Sequence, residues 1–370
     1  MHIESRVEKL REYMESEDLE AVILMNPENQ YYFTNFYAIT YSRPIIAVVE
    51  RNATHLIVPQ LEEMHAKEEA KVNDIRTYYE TPGKVGDAII LLKKLLEGSK
   101  RIGVEKRFLP ICLAESLGKD IIFHGIDSLV ENMRMIKDDE ELSLIVKAAK
   151  LADRGVKKSI EYARENVSEL EIDNAGNFEI LSQASKNYPE MRNSLFSMSP
   201  SGSNRTAIPH VFSTGRKIKK GDMIIHSRQV SLNGYRAECE RTFFLGPLKK
   251  YQEELLEIVT EAQKKAIEKI REGIRASEVD RIAREIIEEA GYGSYFPHRT
   301  GHGLGLSVHE PPYLRYDSTT ILREGMVITV EPGIYIPKMG GFRHSDTIIV
   351  KKYGAEVITR TPKDLGYLVR

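Results

Sequence analysis

The sequence predicts two domains. A smaller α/β domain spans residues 1–127, and an α+β domain spans 128–370, with helices on one face of a curved antiparallel sheet. Three observations predict this. In the first third, short apolar runs alternate with helical patterns. Near residues 125–140 the character changes, and MIKDDEELSLIVKAAKLADRGVKKSI begins a long helix, acidic early and lysine-rich late, as the helix dipole favours. Beyond it, strand-rich blocks are separated by a helix pair.

Taken in order, Val7, Leu10 and Met14 share one helical face. AVILM (21–25) reads as a buried strand ended by Asn26-Pro27. IIAVV (45–49) and HLIVP (55–59) form an adjacent strand pair around the Arg51-Asn52 turn. LEEMHAKEEA (61–70) is helical, DIRTYY (74–79) a strand, and 84–97 a helix with Ile89, Ile90, Leu92, Leu95 and Leu96 inward. RIGVE (101–105) is the next strand, and the alternation implies a largely parallel sheet. Long helices follow at about 138–163 and 168–184, and a strand block at 194–246. Helices then run over Tyr251–Arg271 and from a Ser277 cap to Ala290. Strands close the chain around 304–310, 326–331 and 346–350.

Composition limits the function classes. With 53 Lys+Arg against 55 Asp+Glu, the net charge of −2 gives no electrostatic case for nucleic acid or an anionic membrane as main partner. The 41% hydrophobic content is enough for a packed core. Cys112 and Cys239 make neither a disulfide framework nor a zinc site. The N-terminus, MHIESRVEKL, has no apolar signal region, and no stretch is apolar enough to span a membrane. The expectation is a cytoplasmic protein.

The chemistry-bearing residues fall in four segments of the second domain. SGSNRTAIPHVFSTG (201–215) is a loop ending near His210. GDMIIHSRQVSLNGYRAECERTFFLG (221–246) reads as a hairpin, with His226 on one arm and Glu238 and Glu240 on the other; two apart in a strand, those glutamates share a face. FPHRTGHGLGLSVHEPP (296–312) holds His298, His302 and His309, and MVITVEPGIYIPKMGGFRHSD (326–346) holds Glu331 and His344. Six of ten histidines lie in these segments, and histidines beside buried glutamates are what a hydrolytic site needs.

These runs resemble the pita-bread superfamily of prolidase, aminopeptidase P, methionine aminopeptidase and creatinase. The likeness rests on HRTGHGLGLSVHEPP, EGMVITVEPGIY and GGFRHSD, and on NPENQYYFTNF (26–36) and YSRPIIAVV (41–49) in the first domain. It covers essentially the whole chain. It implies a creatinase-type N-terminal domain, a pita-bread fold with its site inside the curved sheet, and a homodimer. It implies a hydrolase of C–N bonds acting on a small molecule or dipeptide.

The departures are as informative. The family's peptidases hold two metals with Asp, Asp, His, Glu and Glu, which carry over here to His226, Glu238, His302, Glu331 and Ser345. Two adjacent hard cations need several carboxylates to offset their repulsion. The expectation is therefore no metal cofactor. The alternative is one divalent metal (Zn, Mn or Co) held by Glu238, His302, Glu331 and His226, in an Xaa-Pro dipeptidase or aminopeptidase with an atypical site. Resemblance to creatinase, which works without metals, implies His210 as acid and base and Glu240 and Glu331 as anchors for a cationic group. It implies Arg43 as a contact for a substrate carboxylate; His309 instead resembles a prolidase histidine that contacts the substrate, and His302 and His309 are expected to be polarising or orienting groups. A third reading, from another class, is a catalytically inactive binding module on the same fold.

Overall fold

The structure, a computed structural model, describes residues 2–39, 42–80 and 87–370. The chain divides into two compact units, Met1–Met133 and Arg134–Arg370.

The first unit is built on six strands: β1 (Ala21–Leu24), β2 (Ile46–Glu50), β3 (Thr54–Pro59), β4 (Asp74–Tyr78), β5 (Arg101–Val104) and β6 (Ile122–Gly125). Their order is β4-β3-β2-β1-β5-β6. The sheet is mixed rather than largely parallel. β2 pairs antiparallel with both β1 and β3, while the β3–β4, β1–β5 and β5–β6 pairs are parallel. The short turn between β2 and β3 leaves no room for the crossover that a parallel pair needs. Ile23, Val48, Ile57, Leu92 and Ile102 close its core. The helix expected over 84–97 runs from Ala88 to Leu95, capped by the Asp87 side chain; residues 84–86 lie outside the described residues. Its Ile90 faces solvent, not the core.

The second unit carries β7 (Asn193–Met198), β8 (Met223–Leu232), β9 (Tyr235–Phe244), β10 (Gly301–Gly303), β11 (Glu310–Leu314), β12 (Val327–Val330), β13 (Gly333–Ile336), β14 (Gly340–Arg343), β15 (Ser345–Lys351) and β16 (Gly354–Val357). The main sheet is a curled antiparallel one in the order β11-β10-β12-β15-β9-β8-β7, with β16 paired to β15. β13 and β14 form a separate hairpin. The stretch 304–309, expected as strand, instead links β10 to β11. Helices Asp139–Tyr162, Glu169–Asn187, Lys250–Lys269 and Ala276–Glu289 accompany the sheet. Asp138 and Ser168 open the first two as capping boxes. Ser277 lies inside the last helix, whose N-cap is Arg275 without a side-chain bond.

Two features fix the strands that matter for the site. The β8–β9 hairpin turns on Asn233-Gly234, both at positive φ (47° and 85°), which sets the register of ten residue pairs. Beneath the sheet, Asp346 is fully buried and accepts from Arg241 Nη2 at 2.7 Å, Lys363 Nζ at 2.8 Å and Thr359 Oγ1 at 2.8 Å, tying β9 to β15. Removing one partner from such a network strands a buried charge. Arg241→Ala is expected to lower the stability of the second unit by about 3–5 kcal/mol in urea unfolding followed by circular dichroism. A loss under about 1 kcal/mol would show that Lys363, Thr359 and Gln263 suffice to hold the aspartate.

Candidate active site

Strand alternation decides which side chains meet. On β8, Ser227 and Gln229 line a cavity of about 640 Å³; on β9, Glu238 and Glu240 do the same. In register, Ser227 faces Glu240 and Gln229 faces Glu238. Ser345, at the start of β15, lies opposite Glu240 and donates from Oγ to Glu238 Oε1 at 2.7 Å. Gln229 Nε2 donates to the other Glu238 oxygen, also at 2.7 Å. Both oxygens of this carboxylate therefore already accept from the protein.

His226 takes the opposite face, so its expected place among metal ligands is corrected. A one-residue step along a strand reverses the side chain. Arg228 Nε donates to His226 Nε2 at 3.2 Å, so the ring proton sits on Nδ1 and is given to Ser199 Oγ at 2.7 Å. Ser199 in turn donates to Asp173 Oδ1 at 2.6 Å. Burial, reinforced by Arg228, holds the His226 pKa well below the ordinary histidine value. The neighbour of His226 that shares the face of Glu238 and Glu240 is Ser227, which shortens by one residue the interval counted from His226.

Glu240 reaches the pocket but is already occupied. Arg343, 3% exposed, grips it through Nε and through Nη2 at 3.0 Å, and donates from Nη1 to Tyr335 Oη at 2.9 Å. Burial pushes Glu240 up, Arg343 opposes it, and Glu238 and Glu331 add to burial, leaving it above the ordinary carboxyl value. Glu240 thus holds a buried arginine rather than standing free to anchor a substrate cation.

His302 sits between Gly301 and Gly303 on β10. A Cβ on Gly301 would stand 2.0 Å from the Thr329 carbonyl oxygen, and one on Gly303 would stand 2.3 Å from that of Pro311, so only glycine lets the neighbouring strands close around the histidine. His302 Nδ1 meets the Gly303 carbonyl at 3.0 Å, and Nε2 lies 3.3 Å from Glu331 Oε1. Burial depresses the imidazolium, but Glu331 and Glu238 outweigh it and raise the His302 pKa. Burial likewise raises Glu331, and His302 and Arg343 overcome it, holding the carboxyl at about 2. One ligand atom each of Glu238, His302 and Glu331 lie within 4.8 Å of one another, and His302 Nε2 is buried without a hydrogen bond. This set fits one divalent first-row cation.

His210, His298 and His309 complete the wall. His298 is pressed to about 4 by burial, against the pull of Glu331, and its Nε2 meets Tyr335 Oη at 3.0 Å. Burial, His302 and Arg299 together lower His309 to about 4. His210 is exposed, on a loop closed by one buried carboxylate. Glu169 accepts from Ser201 N (2.8 Å) and Oγ (2.7 Å), from Arg205 Nε (3.0 Å), and from Thr214 N (2.8 Å). Phe196 and Phe212 supply an apolar edge, in T-shaped contact at 6.2 Å.

The cavity's lining residues all belong to the second unit. Arg43 lies in the first, exposed and paired with Glu80 at 2.6 Å. His344 is buried and is not among the lining residues. Sequence reasoning passed over Ser227, Gln229, Arg299, Tyr335 and Glu169. Alternation from Glu238 across the hairpin would have found the first two. Nothing in the sequence marks the others, whose roles depend on distant partners.

Comparison with known proteins gives a consistent picture. Residues 143–352 match the model for metallopeptidase family M24, and residues 6–136 match that for the creatinase/prolidase N-terminal domain. The Xaa-Pro dipeptidase of Pyrococcus horikoshii is 37% identical over 97% of this chain and 98% of its own length. That of Pyrococcus furiosus is 34% identical over 98% and 100%. The solved structure of the prolidase from Pyrococcus horikoshii OT3 superposes with a TM-score of 0.89 at 35% identity, covering 98% of this chain and 99% of that one.

The position of His226 has a measurable consequence. Its folded pKa is depressed, so its stabilising contribution is complete above about 6.5 and is lost as pH falls below that, where the unfolded chain binds a proton the folded ring refuses. His226→Gln is expected to lose about 1.4 kcal/mol less per pH unit than the parent below pH 6.5, read from urea midpoints between pH 7.5 and 5. Parallel curves would mean that His226 is charged in the fold.

Proposed function

This chain belongs to metallopeptidase family M24, a family of hydrolases, and carries the creatinase/prolidase N-terminal domain; from that premise we propose that it hydrolyses a C–N bond in a small cationic amide or amidine without a pair of metal ions. The observation that carries this reading is that protein donors already meet the carboxylates on the cavity floor. Ser227 and Ser345 present hydroxyls, Glu238 is bonded at both oxygens, and Glu240 is held by Arg343. Two adjacent divalent cations need more free carboxylate than this floor offers.

In this reading Glu331, held ionised, receives the cationic group by a charge-assisted hydrogen bond, with Glu238 beside it. His210, on the exposed side of the cavity, takes a proton from water and returns it to the leaving nitrogen. His309 donates to the oxygen on which negative charge develops. Phe196 and Phe212 keep one side of the substrate dry.

A second reading is favoured by the unbonded His302 Nε2 and by the relatives' activity: an Xaa-Pro dipeptidase using one divalent metal. Glu238, His302 and Glu331 would hold that ion, which would polarise the scissile carbonyl.

The test uses protein stripped with chelator, assayed on small amides and cyclic amidines and on Xaa-Pro dipeptides, with and without added Zn, Mn or Co. Turnover of the first group that survives chelation and falls about 10²–10⁴-fold in His210→Ala supports the proposal. Cleavage of Xaa-Pro dipeptides that requires metal and is lost in Glu238→Ala replaces it with the second reading. Ligand binding without turnover, unchanged in His210→Ala, replaces it with a binding module. Ser227→Asp combined with Ser345→Glu adds two carboxylates and is expected to increase the metal bound per chain, measured by elemental analysis.

A further inference from the structure

We propose that Arg299 is a positioning residue that locks His309 in the neutral tautomer protonated on Nε2, so that His309 serves the pocket only as a hydrogen-bond donor. A guanidinium has donors and no acceptor, so a bond from it to an imidazole nitrogen requires that nitrogen to be bare. Arg299 Nη2 lies 3.0 Å from His309 Nδ1. The bare nitrogen is therefore Nδ1, and the ring proton belongs on Nε2.

Arg299 is itself held. Its guanidinium lies over the Tyr313 ring, 4.4 Å from the centroid, a cation–π contact. Tyr313 is paired in register with His302 across β10 and β11. Arg299 precedes β10 and His309 precedes β11, so the same strand pair sets both ends of the contact. The His309 ring also packs on that of His302, with centroids 3.9 Å apart. Among the described residues no acceptor meets His309 Nε2, which leaves its N–H for whatever occupies the cavity.

The tautomer stands on geometry alone. Only the naming of its acceptor, a carbonyl or amide oxygen developing negative charge, rests on the function proposed above. The lock also assigns labour among the histidines. A ring whose Nδ1 is spent on a guanidinium cannot pass a proton from one nitrogen to the other, so the acid–base role falls to His210.

The experiment is long-range ¹H–¹⁵N NMR on the full chain labelled with ¹⁵N-histidine at pH 7.5 in chelator, with the His309 signals assigned by their loss in His309→Gln. The parent is expected to show Nδ1 bare and Nε2 protonated. Arg299→Lys, which still offers only donors, should keep that pattern. Arg299→Glu, which offers an acceptor at the same place, should put the proton on Nδ1. A parent protonated on Nδ1, or an Arg299→Glu spectrum like the parent's, overturns the proposal. On any substrate turned over, Arg299→Glu should lower kcat about tenfold or more, with Arg299→Lys near the parent. A change confined to KM would mark Arg299 as a substrate contact instead and would also overturn it. Absence of turnover would count against the proposed function and leave the NMR result to decide the tautomer.

Discussion

The ion pair between Arg343 and Glu240 is the interaction on which the rest of the site depends. Three glutamates, Glu238, Glu240 and Glu331, line one cavity, and burial disfavours the ionised form of each. A buried carboxylate persists only when it is paired or fully hydrogen-bonded. Arg343 supplies that partner to Glu240 and also steadies Tyr335, which steadies His298. His302 supplies it to Glu331. Glu238, which has no cationic partner at bonding distance among the described residues, is met by two neutral donors instead. The floor thus grades from a carboxylate matched to arginine, through one matched to histidine, to one matched only by dipoles. A positively charged group entering the cavity gains most at the last two.

On the proposed reading, this grading suits neither a two-metal site nor a passive surface. A scaffold would gain stability by replacing such groups with packed apolar residues, since a buried ion pair is seldom a net source of stability. Polar groups line the cavity with donors and acceptors open to it, while those on the helix-facing side of the same strands, around Asp346 and His226, are closed on one another. Glu169 extends the pattern outwards. One fully buried carboxylate gathers both ends of the 201–214 loop, so the exposed His210 is carried on a segment whose two ends are pinned to the start of the Glu169–Asn187 helix.

Much of this was legible in the sequence, for reasons that differ by residue. His302 stands in a glycine-rich run and Glu331 at the end of an apolar one, while Glu238 and Glu240 sit two apart on one strand; the structure lines one cavity with the three glutamates, and His302 Nε2 lies 3.3 Å from Glu331 Oε1. Which of two adjacent residues on β8 faced them follows from alternation across the hairpin and not from residue chemistry. His226 is the more chemically suggestive residue and Ser227 the one that faces the pocket. The pairing of Glu240 was hidden too, because Arg343 is about a hundred residues away and carries no local signature. In the first unit the alternation of strands and helices was plain, but the mixed direction of its sheet follows from the tight β2–β3 turn, which outranks the alternation pattern.

The Asn233-Gly234 turn has a consequence for descent. Because it fixes ten pairs in register, gain or loss of one residue in either arm would exchange Ser227 and Gln229 for His226 and Arg228 and turn a buried guanidinium toward the cavity. A change in hairpin length alters every inward position at once, while a substitution alters only one. Lineages sharing this architecture can therefore diverge in chemistry by substitution at fixed addresses, and the hairpin works as a ruler against which their active sites can be read.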